Sequence, residues 1–444
     1  MRNENMIKEF YINNLYDERN VRIPFDSEYK IIVAENGYGK TTILNSFYAL
    51  ISGDISKLRK VVFDSIGIVF SDGVDISFKK SDFDADLEFI RGHHFFEHLQ
   101  ARLGEDFILH LIDDVRKFPP HLMERSALFR RAMSSLDIPA SILRDYLSEV
   151  RSNRPNKRIN SSTQEKLDKI QKKFPLKTLH LPTYRRVEED IRAFSGVKDE
   201  APLGNSSINF GMSDVKTSIK KITSEILSSS VEWFSKINGQ MLSQLVNGFS
   251  VTEEMRASIS SPRAVEIVLE RIGKNISPSH KEQILSLVNS GDILNGHEPL
   301  IYFVSNLLKV YEQQQDNDDA IQQFTKVSNK YLTDKEVVYD ESNVTIEIIR
   351  KKNGRTVDIE SLSSGEKQII SLFALLYLQK KEDLAIFFDE PELSLSMEWQ
   401  KTLLPDIVAS GKCKFLFSTT HSPFIFENEL EANTVDLAEY IEEL

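Results

Sequence analysis

The chain has 444 residues, 41% of them apolar and 27% charged, enough for a large core and two domains. No apolar run approaches the ~20 residues that span a bilayer, and Met1-Arg2-Asn3-Glu4-Asn5-Met6 lacks the apolar stretch of a signal peptide, so a cytoplasmic protein is expected. A net charge of −12 excludes a surface given over wholly to nucleic acid while leaving room for a local basic patch. The single cysteine, Cys413, excludes an intrachain disulfide and a Cys-x-x-Cys zinc site and reads as a buried core thiol.

Residues 1–80 read as strands with one helix. Tyr29 to Val33 predicts an apolar strand, and Ala34-Glu35-Asn36-Gly37-Tyr38-Gly39-Lys40-Thr41 reads as a phosphate-binding loop opening a helix over Thr42 to Leu50. Gly37 and Gly39 leave backbone N–H groups free to wrap the β-phosphate of ATP, Lys40 reaches the β and γ phosphates, and the Thr41 hydroxyl suits Mg2+. Asn36, Gly37, Tyr38, Gly39, Lys40, Thr41 and Thr42 are thus the candidate nucleotide contacts. Ala34 stands where the loop pattern has glycine, which a negative φ would tolerate. Ile66 to Phe70 and Val74 to Phe78 flank Asp72-Gly73, a hairpin signal.

From 81 to 175 the spacing predicts a helical insertion punctuated by Pro119-Pro120, Pro139 and Pro155. His94 and His98, one helical turn apart, suit either zinc or an exposed helix face. The stretch Arg151, Arg154, Lys157, Arg158, Lys166, Lys169, Lys172 and Lys173 suits either DNA or RNA phosphates or a solvated charged helix. The apolar run Leu176 to Leu181 opens a return segment over 176–213.

A second helical block, 214–334, carries Ile321, Phe324, Val327 and Tyr331 at the spacing of one arm-helix face, and Gln313 to Asp319 reads as a solvated bend or tip. An arm helix of about 35 residues would be about 50 Å long. Strands resume over 335–444, at Val337 to Tyr339, Val344 to Ile349 and, beyond Asn353-Gly354, Thr356 to Ile359.

Leu384 to Phe388 predicts a buried strand that delivers Asp389 and Glu390 together at its C-terminal edge. Asp389 would hold Mg2+ through water and Glu390 would act as general base on the water that attacks the γ-phosphate; the plain alternative is a core strand ending in two solvated acids. Ser363 and the backbone of Gly365, ahead of the apolar helix Gln368 to Leu378, form a second anion-binding helix N-terminus.

These parts occur in the order of an ATP-binding cassette ATPase, which the sequence resembles. The implied fold class is α/β: an ATPase head of that type with a mixed or parallel β-sheet, plus an inserted α-helical arm domain. Leu362-Ser363-Ser364-Gly365-Glu366 corresponds to that family's signature, and the resemblance implies a head-to-tail homodimer in which the signature meets the γ-phosphate held by the other subunit. Ser364 replaces the usual glycine, and Glu366 is more like the repair and chromosome-structure branch than the transporters. Pro391 to Ser396 resembles that branch's dimer-contact loop, with Ser396 where histidine is common; His421 matches the histidine that contacts the γ-phosphate. Thr183 and Tyr184 occupy the plausible glutamine-loop region.

The family resemblance implies that a transporter subunit would place its signature far closer to the phosphate loop, whereas Ser363 lies 323 positions after Lys40 (363 minus 40); the cysteine count excludes a zinc-hook ATPase, and with 23 residues after His421 no C-terminal nuclease domain is expected in this chain. Pro182 to Glu188 and Asn209 to Val215 resemble a segment of bacterial anti-phage ATPases, the Septu ATPases PtuA and their retron-associated relatives. Their properties imply a regulatory ATPase beside a separate HNH-type nuclease and, in the retron kind, a reverse transcriptase and its DNA or RNA product. The alternative is a DNA-repair ATPase similar to RecF, binding DNA through its own dimer.

Overall fold

The computed structural model describes residues 6–35, 37–83, 95–115, 120–136, 138–152, 161–182, 212–259, 261–379 and 383–444. They belong to two compact units, one of Met1–Ile208, Asp383–Glu392 and Cys413–Leu444, the other of Asn209–Glu382 and Leu393–Lys412. Asn36, His94, Arg154, Lys157, Arg158, Thr183 and Tyr184 lie outside the described residues.

The first unit begins with β1 (Ile7–Leu15), β2 (Arg19–Pro24), β3 (Tyr29–Val33), α1 (Lys40–Ser52), α2 (Ile55–Arg59), β4 (Ser65–Phe70) and β5 (Asp75–Lys79). Helices α3 (Phe96–Leu103), α4 (Glu105–Val115), α5 (Ala127–Ser135) and α6 (Ala140–Ser152) then build a core of their own around Phe96, Leu99, Ile108, Leu111, Phe129 and Leu147. His98 is exposed on α3 with Phe95 stacked beside it, and no metal-binding group of side chains occurs among the described residues. Helix α7 (Ser161–Lys173) returns the chain to the sheets, burying Leu167 and Ile170, and β6 (Lys177–Leu181) follows. Lys166 Nζ donates to the Ser77 carbonyl at 2.8 Å and Lys173 pairs with Asp72, so two cations of the basic stretch are committed to the β4–β5 hairpin. Lys169 and Lys172 are exposed.

The second unit holds α8 (Met212–Asn247), α9 (Glu253–Ser258), α10 (Pro262–Arg271), α11 (Pro278–Ser290), α12 (Glu298–Tyr331), β7 (Lys335–Asp340), β8 (Thr345–Arg350), α13 (Ser364–Leu378) and α14 (Met397–Ala409). The remaining strands, β9 (Leu384–Asp389), β10 (Cys413–Thr420), β11 (Thr434–Asp436) and β12 (Ile441–Glu443), complete the first unit.

Two sheets organise the first unit. One is antiparallel, in the order β12-β2-β1-β4-β5; the other is parallel, in the order β11-β3-β10-β9-β6. Strand β5 alternates exposed and buried residues because one of its faces is wet, whereas β9 is buried at every position, as an interior strand of a parallel sheet requires. Helix α1 packs against both sheets through Phe47, whose ring lies 4.4 Å from Phe10 of β1, 5.3 Å from Phe387 of β9 and 5.1 Å from Phe417 of β10. Burying a side chain of this size contributes about 1.5–3 kcal/mol. Helix α1 is thus clamped between two sheets whose strands come from both early and late parts of the sequence. Cys413 is buried, and burial pushes its thiol up to about 12.

In the second unit α8 and α12, of 36 and 34 residues, are the expected long helices, each about 50 Å at 1.5 Å per residue. Ile321, Phe324, Val327 and Tyr331 form the buried stripe. The bend expected at Gln313 to Asp319 is absent: α12 runs unbroken through it. Gln313 and Asp316 are exposed, but Gln314 and Asp318 are buried and used inside the unit. Arg271, with its side chain 6% exposed, grips fully buried Asp318 through 2.8 Å bonds to both carboxylate oxygens, and donates to Gln314 Oε1 at 2.7 Å. Gln314 in turn donates to the Ile226 carbonyl and Ser230 of α8, and the Tyr339 hydroxyl of β7 donates to Asp318. Asp318→Ala is expected to destabilise this unit by about 3–5 kcal/mol, because it leaves the Arg271 charge buried and unpaired. A denaturation midpoint equal to wild type would show that water replaces the carboxylate.

Thr356 to Ile359 does not form the expected strand. Thr356 makes a single bridge to Ile349, and a short 3-10 turn, Ile359–Ser361, follows because Asp358 caps it through the Glu360 N–H. The fold class is α/β, with a parallel sheet and long helices. Among the described residues no helix is long and apolar enough to cross a membrane.

Candidate functional site

Strand β3 ends at Val33, level with Thr420 of β10, and Thr419 of β10 is level with Asp389 of β9. Three parallel strands therefore release their C-terminal ends at one edge, where ligands bind in sheets of this kind. Ala34 is buried and keeps a negative φ, as the substitution for glycine demands. Gly37 and Gly39 adopt φ of 96° and 82°, in the left-handed region that favours glycine. Helix α1 then starts at Lys40 with no side-chain cap and no acid in its first turn, which leaves its leading N–H groups for an anion. Buried Lys40 closes the loop, its ammonium donating to the carbonyls of Ala34 at 2.5 Å and Glu35 at 3.0 Å. Tyr38 and Thr41 are exposed and Thr42 half-buried.

The Thr41 hydroxyl donates to Asp389 Oδ2 at 2.9 Å across 348 residues of sequence, and the Thr419 hydroxyl donates to Oδ1 at 2.6 Å. A hydroxyl and a buried carboxylate are hard oxygen donors that fit Mg2+. Glu390 follows with φ 46°, unusual for a non-glycine residue, while its N–H stays bonded to the Thr419 carbonyl at 2.9 Å. Partial burial, and then the adjacent Asp389 charge, raise its carboxyl above the ordinary glutamate value; the His421 imidazole pulls the other way. His421 Nδ1 lies 3.8 Å from Glu390.

Glu392 holds this histidine. Its carboxylate accepts from the Thr420 hydroxyl at 2.8 Å and from the His421 N–H at 3.0 Å, and lies 3.1 Å from His421 Nδ1. Sequence reasoning placed Glu392 only in the dimer-contact loop. Its recurrence two residues after Glu390, in Asp-Glu-Pro-Glu, was the available signal. Thr419 stands in the run Ser418 to His421 that ends β10, and its bond to Asp389 gives it a part that the run itself did not spell out.

Ser363 and Gly365 belong to the second unit and are described within it. Ser363 caps α13: its Oγ accepts from the Glu366 N–H at 3.3 Å while Glu366 Oε2 accepts from the Ser363 N–H at 2.8 Å, a reciprocal capping box. Gly365 has a packing reason as well, since a Cβ there would lie 2.5 Å from the Ser394 carbonyl oxygen. Ser396, expected in a dimer contact, caps α14 by accepting from the Trp399 N–H at 3.4 Å.

The model of the AAA ATPase domain family matches residues 6–426, and the chain belongs to that family. No curated protein matches it. Solved structures similar to it include the Smc head domain with an extended coiled coil bound to the C-terminal domain of ScpA, from Pyrococcus furiosus: 13% identity, 97% of this chain and 93% of that one covered, TM-score 0.35. The Smc head bound to the C-winged helix domain of ScpA matches at 12% identity, with 97% and 93% covered and a TM-score of 0.33. The Smc head domain with a coiled coil and joint from Pyrococcus yayanosii matches at 14% identity, with 97% and 94% covered and a TM-score of 0.31.

Proposed function

We propose that this chain hydrolyses ATP as the regulatory subunit of an anti-phage complex and controls a separate effector nuclease. The observation that carries the ATPase reading is the convergence of Lys40, Thr41, Asp389, Glu390 and His421 at one edge of the parallel sheet. Lys40 and the leading N–H groups of α1 bind the β and γ phosphates. Thr41 and, through water, Asp389 would hold Mg2+, which would neutralise phosphate charge. Glu390 accepts the proton of the attacking water as the new oxygen–phosphorus bond forms and the bond to ADP breaks. His421, held by Glu392, contacts the γ-phosphate.

Ser363 and Gly365 act on the nucleotide of a second copy in a head-to-tail homodimer, and the helical segments 81–175 and 214–334 serve as partner-binding arms. Control of an HNH-type nuclease, with a reverse transcriptase and its DNA or RNA product as further partners, is supported by the resemblance at Pro182 to Glu188 and Asn209 to Val215. Identifying what co-purifies with the native protein tests this part; replication proteins or gapped duplex alone would contradict it.

Shared sites are tested by mixing. Neither a Lys40→Ala chain nor a Ser363→Arg chain completes a site alone, but their heterodimer places both lesions in one site and leaves the other intact. With random mixing and independent sites, hydrolysis is expected to recover to about a quarter of wild type. Full hydrolysis by a demonstrated monomer would exclude the arrangement.

A further inference from the structure

The signature helix carries an electrostatic conflict. A helix N-terminus attracts anions through its exposed N–H groups and dipole, yet α13 has its own carboxylate there, since Glu366 sits in the first turn with its side chain only 8% exposed. An incoming γ-phosphate would meet that charge beside Ser363. In the first unit α1 has no such acid.

Lys335 resolves the conflict. Its ammonium, on a side chain 12% exposed, lies 3.0 Å from Glu366 Oε1 and 2.9 Å from Oδ1 of the more exposed Asp334, while Glu366 Oε2 accepts the Ser363 N–H at 2.8 Å. One carboxylate oxygen is neutralised by a lysine and the other fixes the residue expected to touch phosphate. Although burial pushes the Glu366 carboxyl up, hydrogen bonds from Ser363 and Lys335 hold it below its ordinary value, so the pair stays ionised. The lysine is well placed to hold this position. It is the first residue of β7, whose Val337 backbone is tied to the Asn329 side chain of α12 in both directions, at 2.7 and 2.8 Å, and whose Tyr339 is tied to Asp318.

We propose that Lys335 is a positioning residue for ATP hydrolysis: it neutralises Glu366 and, through it, orients Ser363, making an acidic signature competent to receive phosphate. This rests on the reading that Ser363 acts on nucleotide. Lys335 itself touches no substrate.

The test is a double-mutant cycle on the full chain, reading kcat for ATP and, separately, equilibrium ATP binding. Lys335→Met is expected to lower kcat at least about tenfold, the scale for residues acting through a ligating neighbour, with ATP binding unchanged. Glu366→Gln keeps an acceptor for the Ser363 N–H without the charge, leaves Lys335 its Asp334 partner at 2.9 Å, and serves as the reference for the second arm of the cycle whatever its own rate. In that background Lys335→Met is expected to have almost no further effect, because the buried charge it balanced is gone and Asp334, 56% exposed, is left to water. A merely structural lysine would not be rescued by neutralising residue 366.

Wild-type kcat in Lys335→Met, or equal fold-losses with and without Glu366→Gln, overturns the proposal. If Lys335→Met does not fold, Lys335→Gln, which donates a hydrogen bond but carries no charge, is read by the same two criteria. Ser363→Arg separates the two levels. If that variant hydrolyses ATP normally, the shared-site reading fails; if it is inactive while the cycle is additive, only the role of Lys335 fails.

Discussion

Lys40→Ala is expected to lower ATP affinity at least about 100-fold, effectively abolishing binding. A hydrogen bond to a charged group contributes about 1.5–3 kcal/mol, and about 1.4 kcal/mol is a factor of ten in affinity. Lys40 faces two phosphates in the proposed complex, and its ammonium also draws the Ala34 and Glu35 carbonyls together, so the variant loses the closed loop with the charge. Titration with a fluorescent ATP analogue measures the change, and wild-type affinity would refute the site.

Glu390→Gln separates binding from chemistry. The amide preserves shape and lies outside the phosphate loop, so ATP is expected to bind as in wild type. Hydrolysis is expected to fall about 10²–10⁴-fold, the usual contribution of a general base. The pH profile provides a second readout. A base works ionised, and the Glu390 carboxyl is raised by burial and by Asp389, so the acid limb of kcat is expected above the ordinary glutamate value of 4.5. Because His421 lowers that carboxyl, His421→Gln should shift the limb further upward. A residual rate in Glu390→Gln with the same acid limb would assign the limb to another group, and unchanged turnover would mean that another residue positions the water.

The strand, loop and helix around Gly37 and Gly39 were legible in the sequence because their requirements are local: glycines for positive φ and an apolar strand before them. Asp389 and Glu390 were legible because β9 is buried on both faces and can end only in residues that belong at the sheet edge. The polar run Gln313 to Asp319 misled for the opposite reason. Its partners, Arg271, Ile226, Ser230 and Tyr339, are distant in sequence, and buried polar residues cannot be told from solvated ones until those partners are placed. Glu392 and Lys335 were missed because each acts through a neighbour. Neither matches a motif that names a ligand, and only distances such as 3.0 Å from Lys335 to Glu366 give it a role.

The strand order β11-β3-β10-β9-β6 also constrains how the protein is made. The antiparallel strands β1, β2, β4 and β5 are all synthesised by Lys79 and can pair at once. Strand β3 emerges among them, but its neighbour β10 begins at Cys413, 380 positions after β3 ends at Val33 (413 minus 33), and β11 follows it. At about 5–20 residues per second, β3 waits tens of seconds with Ile31 and Ile32 unpaired, a sticky edge in a nascent chain. The loop from Gly37 to Thr41 is therefore made long before the strand ends of β9 and β10 that surround it in the fold. Chaperone capture of the nascent chain should therefore concentrate on ribosomes that have passed β3 and have not yet released β10.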